Sequence, residues 1–490
     1  MAVGCAGALR SEKKERPAKL KILRVIASMN PASGGPCQGI RNSVSALEEL
    51  GVLNEVVCCD SSGEIWIKKD SFPIHALGPG KFGYAYTAKL QPWLEQNLSR
   101  FDAVILHGLW QWPVQATIRA FKKLKANAPP ATRHPPLFIM PHGMLDPWFQ
   151  RDKSRRLKAI RNSIYWWLFE RLALNSADAL LFTCEEELHL AQTTFGGYRP
   201  KREINIGYGI AEPPVFVMQM REAFQGKCPE LGNNPYLLFL GRIHPKKSVD
   251  LLIRAYAEAL KTDKLKTTFP HLVIAGPGWD TTYGKQMRQV IDAANADIAK
   301  KHHFSLTTEC TETSEEKQIT RMHSLNERGG LQEDFCKPVC LSSAFHRHYR
   351  HAAENIRVSY PENYKLKTEN SPRIHAVNML ESDAKWGAFY GCEAFVLPSH
   401  QENFGIAVVE ALACNKPVLI SDKVNIWREI AEDGTGLVEE DSMDGTARLL
   451  HRFLVGEIKR GVGERFSDCF RRHFEIREAS RKLLEALKSR

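Results

Sequence analysis

The sequence predicts an α/β protein built from two successive Rossmann-like, doubly wound domains. Three observations carry this. Short apolar runs alternate with helical patterns, as in parallel-sheet proteins. The alternation pauses at Pro213-Pro214 and then restarts with a strand. Glycine-bearing turns follow the leading strand of each half. At 490 residues and 43% hydrophobic, the chain can fill two or three full-sized cores.

Residues 1–18 are a basic tail expected to be flexible. In the first domain, 19–212, LKILRVIASMN (20–30) is a strand ending in PASGGP. CQGIRNSVSALEELG is then a helix closed by Gly51, and NEVVCCD the next strand. Further strands fall at FDAVILHG (101–108), PLFIMPHG (136–143) and DALLFTC (178–184). The second domain, 213–468, opens with the strand PYLLFLGR (235–242) and the helix VDLLIRAYAEALK. Strands follow at HLVIAGPG (271–278), AFVLPS (394–399) and PVLIS (417–421).

The polar stretch from about 300 to 372 breaks this rhythm and is far longer than an ordinary connection, so it is expected to be an insertion. It holds Cys310, Cys336, Cys340, His346, His348 and His351, all zinc-ligand types. They form no compact CxxC pair, which favours a solvated insert over a metal site. Residues 469–490 read as a final helix.

Lys plus Arg exceed Asp plus Glu to leave a net charge of +11, which favours an anionic partner without choosing one. No nucleic-acid recognition motif accompanies the charge. The N-terminal MAVGCAGALRSEKKERPAKLK lacks a basic region ahead of its short apolar piece and is not expected to be a signal peptide. The longest apolar window, Ser163 to Thr183, contains Glu170, Arg171 and Asp178, three charges that oppose a spanning helix. Twelve scattered cysteines fit free thiols in a reducing compartment. The expected location is cytoplasmic.

Four stretches carry candidate chemistry. Gly34-Gly35-Pro36 follows the first strand, where glycines admit a phosphate or sugar to backbone N–H groups; a plain tight turn reads the same way. It is not GxGxxG. Gly241-Arg242-Ile243-His244-Pro245-Lys246-Lys247 places three cations, Arg242 and Lys247 among them, at a strand end facing the ligand crevice of an open sheet, or makes a solvated basic turn. Gly276-Pro277-Gly278 is loop punctuation or a second such turn. In SHQENFGIAVVEALA, Glu402 lies on a strand-to-helix loop, followed by Asn403, Phe404 and Gly405, whose N–H groups are left free at the helix start. Glu410 stands inside an apolar run, where a carboxylate needs a partner: the hydroxyls of a ribose, or a neighbouring protein cation.

Together, PYLLFLGRIHPKKSVDLLIRA, HLVIAGPG, FVLPSHQENFGIAVVEALACNKPVLIS and the GGP loop resemble the retaining glycosyltransferases of family 4, the glycosyl transferases group 1. Glu402 and Glu410 match the E-x7-E motif of that family. The resemblance covers nearly all of the chain except the tail and the insertion. It implies a GT-B fold, with two Rossmann-like domains facing a central cleft, an acceptor-side first domain and a nucleotide-sugar-binding second domain. It further implies that Arg242 and Lys247 hold the donor diphosphate and that Glu410 binds the ribose. Glu402 with Asn403, Phe404 and Gly405 would hold the donor sugar, and Gly34 and Gly35 would close over the phosphates. His142, ending PLFIMPHG, matches the cleft histidine of the family, while a hydrogen-bonded structural histidine is the alternative for it and for His107. The implied activity is that of a metal-independent, retaining hexosyltransferase without cofactor, acting on a glycan or lipid-linked acceptor in surface or exopolysaccharide biosynthesis. By the same resemblance the last helix packs back toward the first domain.

A non-catalytic nucleotide-sugar-binding protein on the same fold is the competing reading. A phosphorylase would be longer and carry a pyridoxal lysine, and an epimerase lacks the glutamate pair. The segment 148–174, basic and rich in tryptophan, is either a peripheral contact with the inner membrane face or a core-facing aromatic stripe with a wet basic side.

Overall fold

The structure, a computed structural model, describes residues 20–127, 129, 134–151, 155–262, 269–300, 372–458 and 464–489. The basic tail and the insertion, with its cysteines and histidines, lie outside the described residues.

The chain forms two parallel sheets. The first has seven strands: β1 (Leu20–Val25), β2 (Val52–Cys58), β3 (Ile74–Ala76), β4 (Ala103–His107), β5 (Leu137–Met140), β6 (Ala179–Phe182) and β7 (Glu203–Asn205), in the order β3-β2-β1-β4-β5-β6-β7. The order reverses between β1 and β4, the switch point of a doubly wound sheet. Its helices are α1 (Gly35–Glu49), α2 (Leu90–Asn97), α3 (Trp112–Asn127), α4 (Trp148–Arg151), α5 (Arg156–Tyr165), α6 (Arg171–Ser176) and α7 (Glu185–Thr194). A π-helical turn, Trp166–Glu170, joins α5 to α6.

After α8 (Met218–Lys227) the pattern repeats with β8 (Tyr236–Leu240), α9 (Val249–Thr262), β9 (His271–Ala275), α10 (282–300), β10 (Ile374–Val377), α11 (Ser382–Gly391), β11 (Ala394–Leu397), α12 (Ile406–Ala413), β12 (Val418–Ser421), α13 (Trp427–Glu432), β13 (Gly436–Glu439) and α14 (Met443–Leu454). This second sheet runs β10-β9-β8-β11-β12-β13, with its switch point between β8 and β11. Two parallel-sheet α/β domains thus realise the architecture that the sequence predicts.

The strands that the sequence does not reveal are the four edges: β3, β7, β10 and β13. They are three or four residues long, and all but β10 are largely half-exposed. A central strand covered on both faces must be apolar throughout, whereas an edge strand need not be.

After α15 (Arg465–Cys469) a second π-helical turn leads into α16 (Ile476–Lys488). Alternate residues of the first sheet, Ile22, Ile105, Phe138, Met140 and Leu181, bury one face against Leu483, Ala486 and Leu487 of α16. Arg202 anchors the end of that helix by donating to the Ser489 carbonyl and hydroxyl. The last helix therefore belongs physically to the first domain. The eight described cysteines are free and buried.

Candidate functional site

The carboxyl ends of both sheets face each other, and the loops leaving them build the site. After β8, Pro245–Lys247 form one tight turn, capped by His244, whose ring accepts from the Lys246 N–H at 3.1 Å. Gly276 lies against this loop so closely that a Cβ there would fall 1.8 Å from the Gly241 carbonyl oxygen, so only glycine fits. Lys247 and Glu402, from different loops, meet as a largely buried ion pair. The Glu402 backbone is pinned on both sides: its N–H donates to the Lys423 carbonyl and its own carbonyl accepts from Asn425, each at 2.9 Å. Burial pulls the Lys247 ammonium below the ordinary lysine range and the charges of Lys246 and Arg242 act the same way; the Glu402 carboxylate against it favours the charged form. Arg242 is exposed beside them, and no carboxylate among the described residues pairs with it.

Gly405, in the left-handed region at φ 78°, turns the chain into α12. Among the described residues, the N–H groups of Asn403, Phe404 and Gly405 donate to no protein acceptor. A helix start with free N–H groups favours anionic or hydroxyl oxygens. Glu410, in the second turn of α12, has a protein cation: Lys385 Nζ donates to its Oε1 at 2.8 Å. Burial raises the Glu410 carboxyl, and Lys385 opposes that rise. The salt bridge that the sequence leaves open as the alternative for Glu410 is therefore present.

Across the cleft, His142 (φ 54°) and Gly143 (φ 74°) follow β5 in the left-handed region. A Cβ on Gly143 would meet the Asn403 side chain at 2.6 Å, so His142, Asn403 and Glu402 belong to one locus. Buried Glu187 ties the walls together: it accepts from the Gly143 and Thr183 N–H groups and from the Thr183 hydroxyl, which in turn accepts from Asn403 Nδ2 at 3.1 Å. Gln401 donates to Asp146 at 2.8 Å, Arg428 pairs with Glu186, and Lys246 lies over the rings of Trp148 and Phe149. Gly34 and Gly35 sit on the far side of this contact. The Gly35 carbonyl accepts from the Tyr208 hydroxyl at 2.8 Å, and the Tyr208 ring packs 4.7 Å from that of Phe404.

A chain of polar groups reaches His142 from behind. Arg24 Nη1 stands 3.5 Å from His107 Nε2, and His107 Nδ1 stands 2.9 Å from His142 Nε2. A guanidinium only donates, so His107 must accept on Nε2 and carry its proton on Nδ1. It then donates to His142 Nε2, which leaves the His142 proton on Nδ1. Burial and the positive charge of Arg24 hold His142 neutral, its pKa pulled down to about 3; burial, His142 and Arg24 push His107 the same way. His142 is a neutral imidazole with one defined N–H.

Arg24, Lys385, Glu187, Thr183 and Tyr208 are members of this assembly that the sequence reading does not single out. Arg24 was discoverable by the signal that marks Glu410, a charge inside an apolar run, here LKILRVI. The others carry no such mark, because their partners lie in distant segments.

Two opposed parallel sheets with cationic strand-end loops and an acid-bearing helix start define a two-domain α/β architecture of the doubly wound kind. Residues 34–209 match the glycosyl transferase 4-like domain, and residues 358–462 match glycosyl transferases group 1. The chain belongs to the group 1 glycosyltransferases and has the GT-B fold. No curated protein matches it by sequence. Among solved structures it is similar to HepE from Anabaena, solved with UDP and glucose (TM-score 0.60, 14% identity, 96% of this chain and 100% of that one). It is also similar to sucrose-phosphate synthase from Thermosynechococcus elongatus (0.56, 15%, 95% and 98%) and to α,α-trehalose 6-phosphate synthase from Burkholderia multivorans (0.53, 11%, 96% and 98%). At these identities the likeness is one of fold.

Proposed function

We propose that the protein is a retaining, metal-independent hexosyltransferase that moves a sugar from a nucleoside-diphosphate sugar to a glycan or lipid-linked acceptor. The observation that carries this is the Lys247–Glu402 pair, held beside the exposed Arg242 and the free N–H groups of residues 403–405. Arg242 and Lys247 suit the two phosphates, and the charge that builds on the departing diphosphate falls to them. Glu410 takes the ribose hydroxyls while keeping Lys385, since a carboxylate has two oxygens. Gly34 and Gly35 close the phosphate side. The His142 Nδ1–H donates to a donor-sugar hydroxyl, and Glu402, clamped by Lys247, orients the sugar rather than attacking it. The acceptor oxygen bonds to the anomeric carbon on the face that the diphosphate leaves, and the acceptor proton passes to the departing phosphate oxygen.

The test is a thermal-shift screen with UDP-, GDP- and ADP-sugars, followed by proton NMR of the product. The expected result is stabilisation by one nucleotide sugar, lost in Glu410→Ala and Lys247→Ala, transfer that survives a chelator, and an anomeric configuration equal to that of the donor. Binding without transfer to any acceptor would instead make the chain a nucleotide-sugar-binding protein. Equal stabilisation of the wild type and both variants would overturn the site.

The acceptor side has a second feature. Leu157, Ile160, Ile164, Trp167, Leu168 and Leu172, along α5, the π turn and α6, are each at least 54% exposed, while Trp166 alone of that tryptophan pair faces the core. Arg156, Lys158 and Arg161 accompany them. Among the described residues no helix is long and apolar enough to cross a membrane. The proposed role of this face is peripheral contact at the inner membrane surface, where a lipid-linked acceptor of surface-polysaccharide synthesis would be presented. Vesicles with anionic lipid are expected to pellet the full chain in a salt-sensitive manner, and Leu157→Asp with Ile164→Asp to reduce pelleting at least fivefold. Pelleting indifferent to both salt and substitution would remove the contact.

A further inference from the structure

Behind the cleft, the face of the first sheet covered by α1 and α16 holds a pocket open to solvent at its mouth, with His107 and His142 in its lining. Its walls are mostly apolar, from Ile40, Met140, Leu181 and Leu483, yet Arg24 projects among them from β1. Arg24 is 3% exposed. A buried charge is normally paired, because removing it from water costs several kcal/mol. No carboxylate among the described residues pairs with Arg24. Its partners are neutral: Nε donates to Asn54, Nη2 to the Ser43 hydroxyl and Nη1 to His107. A guanidinium has five N–H groups, so one each on Nη1 and Nη2 is left over. Ser480, on α16 and 1% exposed, lines the same pocket with a hydroxyl that has no hydrogen-bond partner among the described residues.

We propose that this pocket binds a small organic monocarboxylate with a short apolar body, its carboxylate on Arg24 and the Ser480 hydroxyl. The two remaining N–H groups and one hydroxyl match the two oxygens of a carboxylate. A phosphate has further oxygens, for which the mostly apolar walls, His142 aside, supply few donors. The Ser43 hydroxyl adds none, since it already donates to the Ile40 carbonyl. The body of the ligand would lie along Met140, Leu181 and Leu483. The burial of Arg24, which lowers its pKa to about 10, is in keeping with a missing counter-charge. Because Arg24 also sets His107 and through it His142, the occupant stands directly behind the cleft histidine. This site does not depend on the proposed glycosyl transfer.

The test is calorimetric titration of the full chain at constant ionic strength with hexanoate, hexanol and inorganic phosphate, on the wild type, Arg24→Met and Ser480→Leu. Methionine fills the space of the arginine stem without its charge, and a thermal melt of the variant shows whether it folds. The leucine fills the pocket and leaves Arg24 alone. Hexanoate is expected to bind the wild type saturably at one site and about 10- to 100-fold more weakly in either variant. Hexanol and phosphate are expected to bind more weakly than hexanoate. Absence of saturable hexanoate binding to the wild type overturns the proposal, as does unchanged affinity in Arg24→Met. Hexanol equal to hexanoate would leave only an apolar cavity, and phosphate tighter than hexanoate would overturn the choice of ligand. If Ser480→Leu shows no cooperative melt, Arg24→Met decides.

Discussion

Lys247→Ala is expected to lower kcat/KM for the nucleotide-sugar donor about 100- to 1,000-fold, the usual effect of losing one charged group that faces developing transition-state charge. The residue is suited to this because its ammonium is held still: Glu402 pairs with it, and the Glu402 backbone is pinned to residues 423 and 425. The same substitution leaves Glu402 largely buried without its cation, so a loss of stability should accompany the loss of activity. Glu402→Gln together with Lys247→Met removes both charges and separates the effects. Its melting temperature is expected to recover toward wild type while activity stays low. Steady-state kinetics beside thermal melts reads both. A Lys247→Ala enzyme within tenfold of wild type would mean that Lys247 serves the fold alone.

Glu170→Gln is expected to stabilise the protein by about 2–4 kcal/mol at pH 9 and to change little near pH 5. Glu170 is fully buried in the π turn after α5, where one oxygen accepts from the Trp110 N–H at 2.9 Å and the other has no partner among the described residues. Burial raises its pKa to about 8, with the Trp110 hydrogen bond opposing. Folding therefore favours the protonated acid. The unfolded chain ionises near its ordinary value, so the contribution of Glu170 is complete below about pH 4.5 and is lost as pH rises through about 8. Glutamine keeps the acceptor for Trp110 and has no charge to bury. Denaturant titrations at the two pH values test it, and a pH-independent difference between the proteins would show that the carboxyl does not titrate there.

The central strands were legible because burial on both faces forces an apolar run, as in YLLFL and HLVIA; the edges, under no such demand, were not. The site was legible in part. Lys247 and Glu402 stand out as charges at strand ends, and the structure brings them into contact. Glu410 stands out as an acid in an apolar run, but its cation, Lys385, lies 25 positions earlier on α11 and has no local signal. Arg24 had the same signal as Glu410, but its partners lie on β2, β4 and α1, distant in sequence.

What the sequence by itself determined is the two-sheet α/β architecture and the family motifs at its strand ends, because periodicity and turn chemistry are local properties of the chain. Only the tertiary structure decided which charges meet. The order β1-β4-β5 aligns Arg24 and His107 on one sheet face with His142 just beyond it, and so assigns the His142 proton to Nδ1. The packing of α16 on that same face seals a buried guanidinium into a pocket with no carboxylate among the described residues. Both are consequences of residues far apart in sequence sharing one low-dielectric space, where an unmatched charge or proton has a large effect on the energy.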